Sequence, residues 1–147
     1  RSGGPVPIGD VICFEVAYDN LVQSSVDAGA RIVVVQTNNA TFGHTAETYQ
    51  QLAMSRLRAI ETGRTVVQVS TTGISAIIAP DGTLLRESGT LFRPALLNAA
   101  VPVESATTPA VALGELPEWV LVALAVGAVG TAVVSSRSSR KQEVVAV

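Results

Sequence analysis

A chain of 147 residues is the size of one average domain and long enough to bury a hydrophobic core. Apolar residues make up 48% and charged residues 15%, with a mean hydropathy of +0.41, which excludes intrinsic disorder and is greasier than an ordinary soluble domain. A net charge of −2 with one lysine excludes a nucleic-acid footprint, and a single Cys beside a single His excludes a disulfide framework and a Cys/His zinc cluster.

The chain opens on Arg1 rather than Met, which reads as an entry midway into a longer protein. After Gly9 and Asp10, the apolar residues 11–14 read as a short buried strand. Residues 16–28 follow as a helix, with Val16, Leu21, Val22, Ser25 and Val26 on one side and Gly29 as the stop. Residues 31–36 form a second strand, apolar on both faces, as expected where layers cover both sides. A turn-rich loop over residues 37–43 leads to Thr45, which can cap a helix running to Thr62. Its buried stripe is predicted at Tyr49, Leu52, Ala53, Leu57 and Ile60, with Gly63 at its end. Residues 65–70 and 74–79 are two further strands, broken at Thr72 and Gly73. Pro80-Asp81-Gly82-Thr83 is a hairpin turn, after which residues 84–86 pair back. Residues 95–103 are predicted as a last apolar strand. β-α-β followed by a hairpin implies a mixed sheet in an α/β layered domain.

The charges are unevenly placed. Residues 1–118 hold 7 Arg against 11 Asp and Glu, whereas Arg137, Arg140 and Lys141 stand against Glu143 in the remainder. Between them, 18 positions from Trp119 to Ser136 carry no charge. A membrane span needs about 20 apolar residues, with roughly 17 as the low end. Trp119 is placed as an interfacial anchor, and the basic cluster orients the C-terminus to the cytoplasm and residues 1–118 to the far side. Gly127 and Gly130 make a small-residue patch able to pack against other membrane helices. The expected organisation is an α/β domain over 1–104, a linker over 105–117, a transmembrane helix over 118–136 and a basic tail over 137–147.

Cys13 stands where the first strand gives way to a helix, in Ile12-Cys13-Phe14-Glu15. That junction projects a side chain above the sheet edge, as a nucleophile elbow does. It also aims the N–H groups of Phe14 and Glu15 at the space the thiol faces, an oxyanion stabiliser. Glu15 is placed to orient the site or to assist proton transfer. The alternative is that Cys13 is one more apolar residue of a buried strand.

Five segments occur in order: Ile12-Cys13-Phe14-Glu15, Gly29-Ala30-Arg31, Thr37-Asn38-Asn39-Ala40-Thr41-Phe42-Gly43, Arg56-Leu-Arg-Ala-Ile-Glu-Thr-Gly63 and Thr72-Gly73-Ile74-Ser75. Over roughly residues 7–103 the set resembles the C-terminal part of the carbon–nitrogen hydrolase (nitrilase) domain of bacterial apolipoprotein N-acyltransferases. The predicted membrane helix falls where that family has one. The resemblance implies a nitrilase-like αββα sandwich, present here in part, set on the bacterial inner membrane with the hydrolase-like domain extracytoplasmic. It implies Cys13 as the nucleophile that takes an acyl chain from a phospholipid donor as a thioester. The acceptor is the α-amine of a diacylglyceryl-modified lipoprotein, and no cofactor, metal or nucleic acid is called for.

Three positions depart from that family's usual pattern: Phe14 stands where Tyr is usual, and Asn39 and Thr41 stand where Asp and Trp are usual. The family's Glu base and Lys lie upstream of its Cys, and the one lysine here, Lys141, lies beyond the apolar span. This segment therefore carries the nucleophile half of a site and is expected to be inactive alone.

Other polar residues have plainer readings. His44 follows a glycine in a loop and is read as solvated or capping rather than as a base for Cys13. Arg56, Arg58 and Glu61 are read as an ion-paired helix face anchoring neighbouring loops. Asn38 and Asn39 shape the turn after the second strand and, with Phe42, are candidate substrate contacts. The alternatives to the acyltransferase are a nitrilase-type amidase hydrolysing a small amide and an inactive membrane-anchored fragment. The apolar span separates the first of these from the acyltransferase, since a soluble amidase has no need of one.

Overall fold

The structure, a computed structural model, describes residues 4–145, with side chains as far as Val133. Runs of β-branched residues form three parallel strands, β1 (Ile8–Ile12), β2 (Ile32–Thr37) and β3 (Thr65–Ser70). β4 (Ala76–Ile78) and β5 (Leu84–Glu87) add to β3 antiparallel, so the sheet order is β1-β2-β3-β4-β5. Between β4 and β5, Gly82 takes a positive φ of 81° and the Asp81 carboxylate accepts the Thr83 amide at 2.9 Å. That bond from Thr83 holds the Asp81 carboxyl below its ordinary value.

Two helices, α1 (Asp19–Asp27) and α2 (Glu47–Thr62), make the crossovers and share one core with the sheet. Val22 and Val26 of α1, with Leu52 and Ala59 of α2, pack on Val11, Val33, Val35 and Val66. The partner faces alternate out of register with these: Ile8 and Ile12 point the other way and are 61% and 60% exposed. The chain thus supplies one sheet and one helical layer, the α/β half of a layered fold.

Three sequence expectations need correction. Residues 16–28 are not one helix: a 3-10 turn, Cys13–Ala17, is followed by an extended Tyr18 and then α1. Residues 95–103 pair with no strand. Pro94 and Pro102 remove backbone donors there, and the segment is tied down through its carbonyls instead. Arg31 Nη2 donates to Val103 O at 2.7 Å, Thr65 Oγ1 to Pro102 O at 2.7 Å and Arg64 Nη1 to Ala106 O at 2.8 Å.

The third correction concerns α2. Tyr49, Ala53, Leu57 and Ile60, predicted as its buried stripe with Leu52, are exposed. Only Leu52 of that set is buried; the inward face is Thr48, Gln51, Ser55, Arg58 and Thr62. Periodicity locates the stripe but not its direction. The polar face turns inward because partners wait there: Ser55 Oγ donates to Gln68 Oε1 at 2.7 Å, and Gln68 Nε2 to Ile74 O at 2.8 Å. Thr45, expected as the cap, lies one residue outside it: the N-cap is Ala46, with no side-chain cap bond, and Thr45 Oγ1 accepts the Glu47 amide at 3.4 Å. Gly63 ends the helix in the left-handed conformation, φ 63°.

The chain divides into two units, Arg1–Ala112 and Leu113–Val147. The boundary falls in a short α3 (Pro109–Leu113), in which Val111 lies against the core of the first unit and its carbonyl accepts Gln23 Nε2 at 3.0 Å. The second is α4 (Leu116–Val145). Its segment Leu116–Val133 has a mean hydropathy of 1.8, long and apolar enough to cross a membrane. The helical backbone continues to Val145 through positions expected to form a tail; the side chains of Arg137, Arg140 and Lys141 lie outside the described residues.

Gly9 shows how closely α1 lies on β1. A Cβ there would stand 2.8 Å from Ser25 Cβ and 3.1 Å from Ala30 Cβ. Gly9→Ala should therefore destabilise the domain by about 1–3 kcal/mol. Gly4→Ala, with nothing within 4 Å, should leave thermal unfolding unchanged. Equal melting temperatures for the two variants would contradict this packing.

Candidate active site

Cys13 is the first residue after β1 and the first of the 3-10 turn. Its φ is 52°, in the left-handed region that a residue with a side chain rarely occupies, at a cost of order 1–3 kcal/mol. Local bonds hold it there. The Glu15 carboxylate accepts the Ile12 amide at 2.8 Å, closing the turn across the thiol-bearing residue. The Tyr18 amide donates to Glu15 O at 2.9 Å, and Val16 is fully buried beneath. A strained strand-to-turn junction of this kind presents a side chain at the end of a sheet.

The sulfur is half-buried and has two polar neighbours. Thr37 Oγ1, at the end of β2, stands 3.4 Å from Cys13 Sγ, and Gln51 Nε2 of α2 stands 4.0 Å away. The Thr37 hydroxyl is also 2.6 Å from Asn39 Oδ1 and 3.2 Å from Gln51 Oε1, so its one proton has three acceptors in reach. Thr37, Asn39 and Gln51 are all buried. Neither a hydroxyl nor an amide is basic enough to deprotonate a thiol. The partners of Sγ among the described residues position it and leave its deprotonation to another group.

Two cavities flank this cluster. One, of about 460 Å³, is lined by Phe14, Phe42, Met54, Glu47, Gln50 and Gln51. The other, of about 360 Å³, includes Cys13, Ile12, Thr37, Asn38 and Val69. Among the described residues no three His, Cys, Asp or Glu side chains converge so as to hold a metal ion.

Of the residues singled out from sequence, Cys13, Phe14, Glu15, Asn38, Asn39 and Phe42 come to this end of the sheet. Phe14 is 54% exposed and meets Tyr18 edge to face at 6.3 Å. Glu15 spends a carboxylate oxygen on the turn rather than on Sγ. Asn38 Oδ1 accepts the Ala40 amide at 3.1 Å and the Thr72 hydroxyl at 3.2 Å, tying two loops together. Asn39 is 1% exposed, and its Nδ2 has no partner among the described residues. Gly73 is what admits it: a Cβ there would meet Nδ2 at 2.6 Å. His44 is exposed and lies on the Phe92 ring, centroids 5.0 Å apart.

Thr37 and Gln51 were not singled out from sequence; Arg58 was read as ion-paired with Glu61 and anchoring neighbouring loops, which the structure shows, but its burial was not foreseen. For Gln51 and Arg58 the signal is the 3,4,3,4 spacing of Thr48, Gln51, Ser55, Arg58 and Thr62, a polar seam in heptad register; Thr37 carries none. Arg58 is 6% exposed and ion-pairs with Asp19 and Glu61. Burial works to lower its pKa, but hydrogen bonds and Coulomb attraction from Glu61 and Asp19 outweigh that and raise it above its ordinary value.

Comparison with known proteins agrees with this geometry. Residues 2–110 match the carbon–nitrogen hydrolase family. The chain is 44% identical over 117 residues, 80% of its length, to the apolipoprotein N-acyltransferase of Mycolicibacterium smegmatis, covering 19% of that protein. It is 33% identical over 137 residues, 93% of its length, to that of Geobacter metallireducens, covering 25%. The chain therefore spans about a fifth to a quarter of the length of these relatives. Among solved structures, the carbon–nitrogen hydrolase of Helicobacter pylori superposes with a TM-score of 0.56 at 13% identity, over 65% of this chain and 40% of that one, a likeness of fold. With residues 2–110 matched, this chain is a member of the carbon–nitrogen hydrolase family, with a partial nitrilase-like α/β fold and an apolar C-terminal helix.

Proposed function

We propose that this chain is the nucleophile-bearing part of an apolipoprotein N-acyltransferase anchored in the bacterial cell membrane. The observation that carries the reading is Cys13, held at φ 52° at the end of a parallel strand in a carbon–nitrogen hydrolase. In the first step the Cys13 sulfur attacks an ester carbonyl of a phospholipid. A C–S bond forms, the ester C–O bond breaks, and the lysophospholipid leaves with a proton. In the second, the α-amine of a diacylglyceryl-cysteine attacks the thioester carbonyl. A C–N bond forms, the C–S bond breaks, and the thiol is restored as the amine gives up its proton. Splitting the transfer into two steps replaces one difficult displacement by two easier ones.

Each residue at the site has a part in this scheme. Thr37 and Gln51 fix the sulfur, and the Phe14 amide stabilises the oxyanion of the tetrahedral intermediate. Glu15 keeps the elbow closed. The cavity beside Phe14, Phe42 and Met54 gives the acyl donor an apolar wall, with Asn38 and Asn39 holding the loop that borders the thiol. The proton-accepting Glu and the Lys that the family resemblance implies come from upstream residues of a longer protein. The domain stands on the extracytoplasmic side, with residues 105–117 as linker, the span over 118–136 and a cytoplasmic tail over 137–147. α4 favours this reading over a water-accepting amidase.

Three outcomes test the scheme in the full-length protein. Supplied with phospholipid and no amine, Cys13 should accumulate a fatty acyl thioester, detectable by peptide mass spectrometry, and Cys13→Ala should abolish lipoprotein N-acylation. A Cys13→Ala protein that still N-acylates would falsify the assignment. Thr37→Val removes the donor to the buried Asn39 Oδ1, which should cost about 1–3 kcal/mol of stability and slow thioester formation. An unchanged first-step rate would take Thr37 out of the site. Finally, a membrane-impermeant thiol reagent should reach Cys13 in intact spheroplasts; labelling that appears only after lysis would reverse the topology.

A further inference from the structure

The 3-10 turn that carries Cys13 ends at Ala17, and Tyr18 is extended before α1 begins. The first amide of α1 to bond backward is Val22, to Tyr18 O at 3.4 Å, so the carbonyls of Val16 and Ala17 fall in the gap between the two helical pieces. Carbonyls left at a helix end need a donor from elsewhere. Arg58 supplies it from α2, some forty residues along the chain. Its Nε donates to Val16 O at 2.8 Å and its Nη2 to Ala17 O at 2.9 Å. The remaining valence goes to carboxylates, Nη1 to Glu61 and Nη2 to Asp19 at the first turn of α1.

One planar guanidinium therefore spans the end of the elbow, the start of α1 and the body of α2. A lysine ammonium has no such fork and cannot match that set of directions. The group is 6% exposed, and two carboxylates keep it charged. Thr62 Oγ1 donates to Arg58 O at 2.6 Å, bracing the helix turn it sits on.

We infer that Arg58 is a positioning residue for the Cys13 nucleophile, fixing the backbone of the elbow so that the thiol and the Phe14 amide face one reacting carbonyl. This rests on the reading of Cys13 as the acyl-accepting nucleophile. Arg58 touches neither substrate nor sulfur. It acts by holding the far end of a turn whose near end is in a strained conformation, where small displacements are costly in rate: a misplacement near 1 Å can cost about 10²-fold.

The experiment uses the full-length protein with vesicles of mixed phosphatidylethanolamine and phosphatidylglycerol, and follows the single-turnover rate of thioester formation on Cys13. Arg58→Lys, Arg58→Ala and Arg56→Ala are compared with the parent. Arg56 lies on the same helix but donates to Gly82 O, away from the elbow. Alkylation of Cys13 by iodoacetamide runs in parallel, because that reagent needs an accessible thiol but no oxyanion donor. Arg58→Lys should lower thioester formation by about 10- to 100-fold with little change in the lipid concentration giving half-maximal rate. Alkylation should stay within about threefold, and Arg56→Ala should match the parent in both assays. Guanidinium ion added to Arg58→Ala should recover part of the first-step rate.

Arg58→Lys that forms thioester as fast as the parent overturns the inference, even if Arg58→Ala does not fold. Equal losses in alkylation and thioester formation also overturn it, since the residue would then be governing access to the thiol. A parent protein that carries no acyl group on Cys13 while still N-acylating lipoproteins overturns the nucleophile reading itself, and the inference with it.

Discussion

The conformation of one residue constrains the rest of the domain. At φ 52° Cys13 sits where a side chain crowds its own backbone, and it stays there only because the surroundings over-determine it. Glu15 closes the turn from within, Val16 plugs it into the core, and Arg58 holds its far end. The inward polar face of α2 follows from the same demand. A helix that packed Leu57 and Ile60 against the sheet would bury more apolar area, but it would carry Arg58 away from the carbonyls it serves and Gln51 away from the sulfur.

That arrangement has a cost that the hydrogen-bond partners offset. Gln51, Ser55, Arg58, Thr62 and Gln68 are all nearly inaccessible to water, and an unpaired polar group there costs about 1–3 kcal/mol. Nearly every one is matched, Ser55 to Gln68, Gln68 to Ile74 O and Thr62 to Arg58 O. Outside that set, the buried side-chain atoms without a partner among the described residues are Arg31 Nε, Asn39 Nδ2 and Thr48 Oγ1, of which Asn39 borders Cys13 and Thr48 lies on the α2 turn that leads to it. A network in which most members are satisfied is stiff, which suits a site that must present a nucleophile and an oxyanion donor together.

How far the sequence could be read depended on whether the deciding signal was local. β1, β2 and β3 are runs of β-branched residues, and Gly29 and Gly63 stop helices by adopting positive φ, so these elements were legible within two or three residues. Cys13 was legible because it lies where an apolar run ends. The direction of α2 was not, because its partners lie at the elbow and on β3, and an amphipathic pattern is symmetric with respect to which side is inside. Residues 95–103 failed for a related reason: apolar composition is shared by strands and by extended segments strapped down through side chains, and it is the donors at Arg31 and Thr65 that distinguish them. Thr37 and Gln51 looked ordinary until the fold brought them to the sulfur.

The strand order also has a kinetic consequence. Because β1-β2-β3-β4-β5 runs in chain order, each strand finds its partner in the one made just before it, with a helix or a hairpin between. No strand must wait for a distant segment, so loop-closure entropy is met in small steps and the sheet can grow residue by residue in the direction of synthesis. Side-chain contacts reach further, and among them Arg58 reaches back to a turn made before it. The elbow thus acquires its last bonds only when α2 is made, and the nucleophile becomes poised later than the strand that carries it but before β3, β4 and β5 are added.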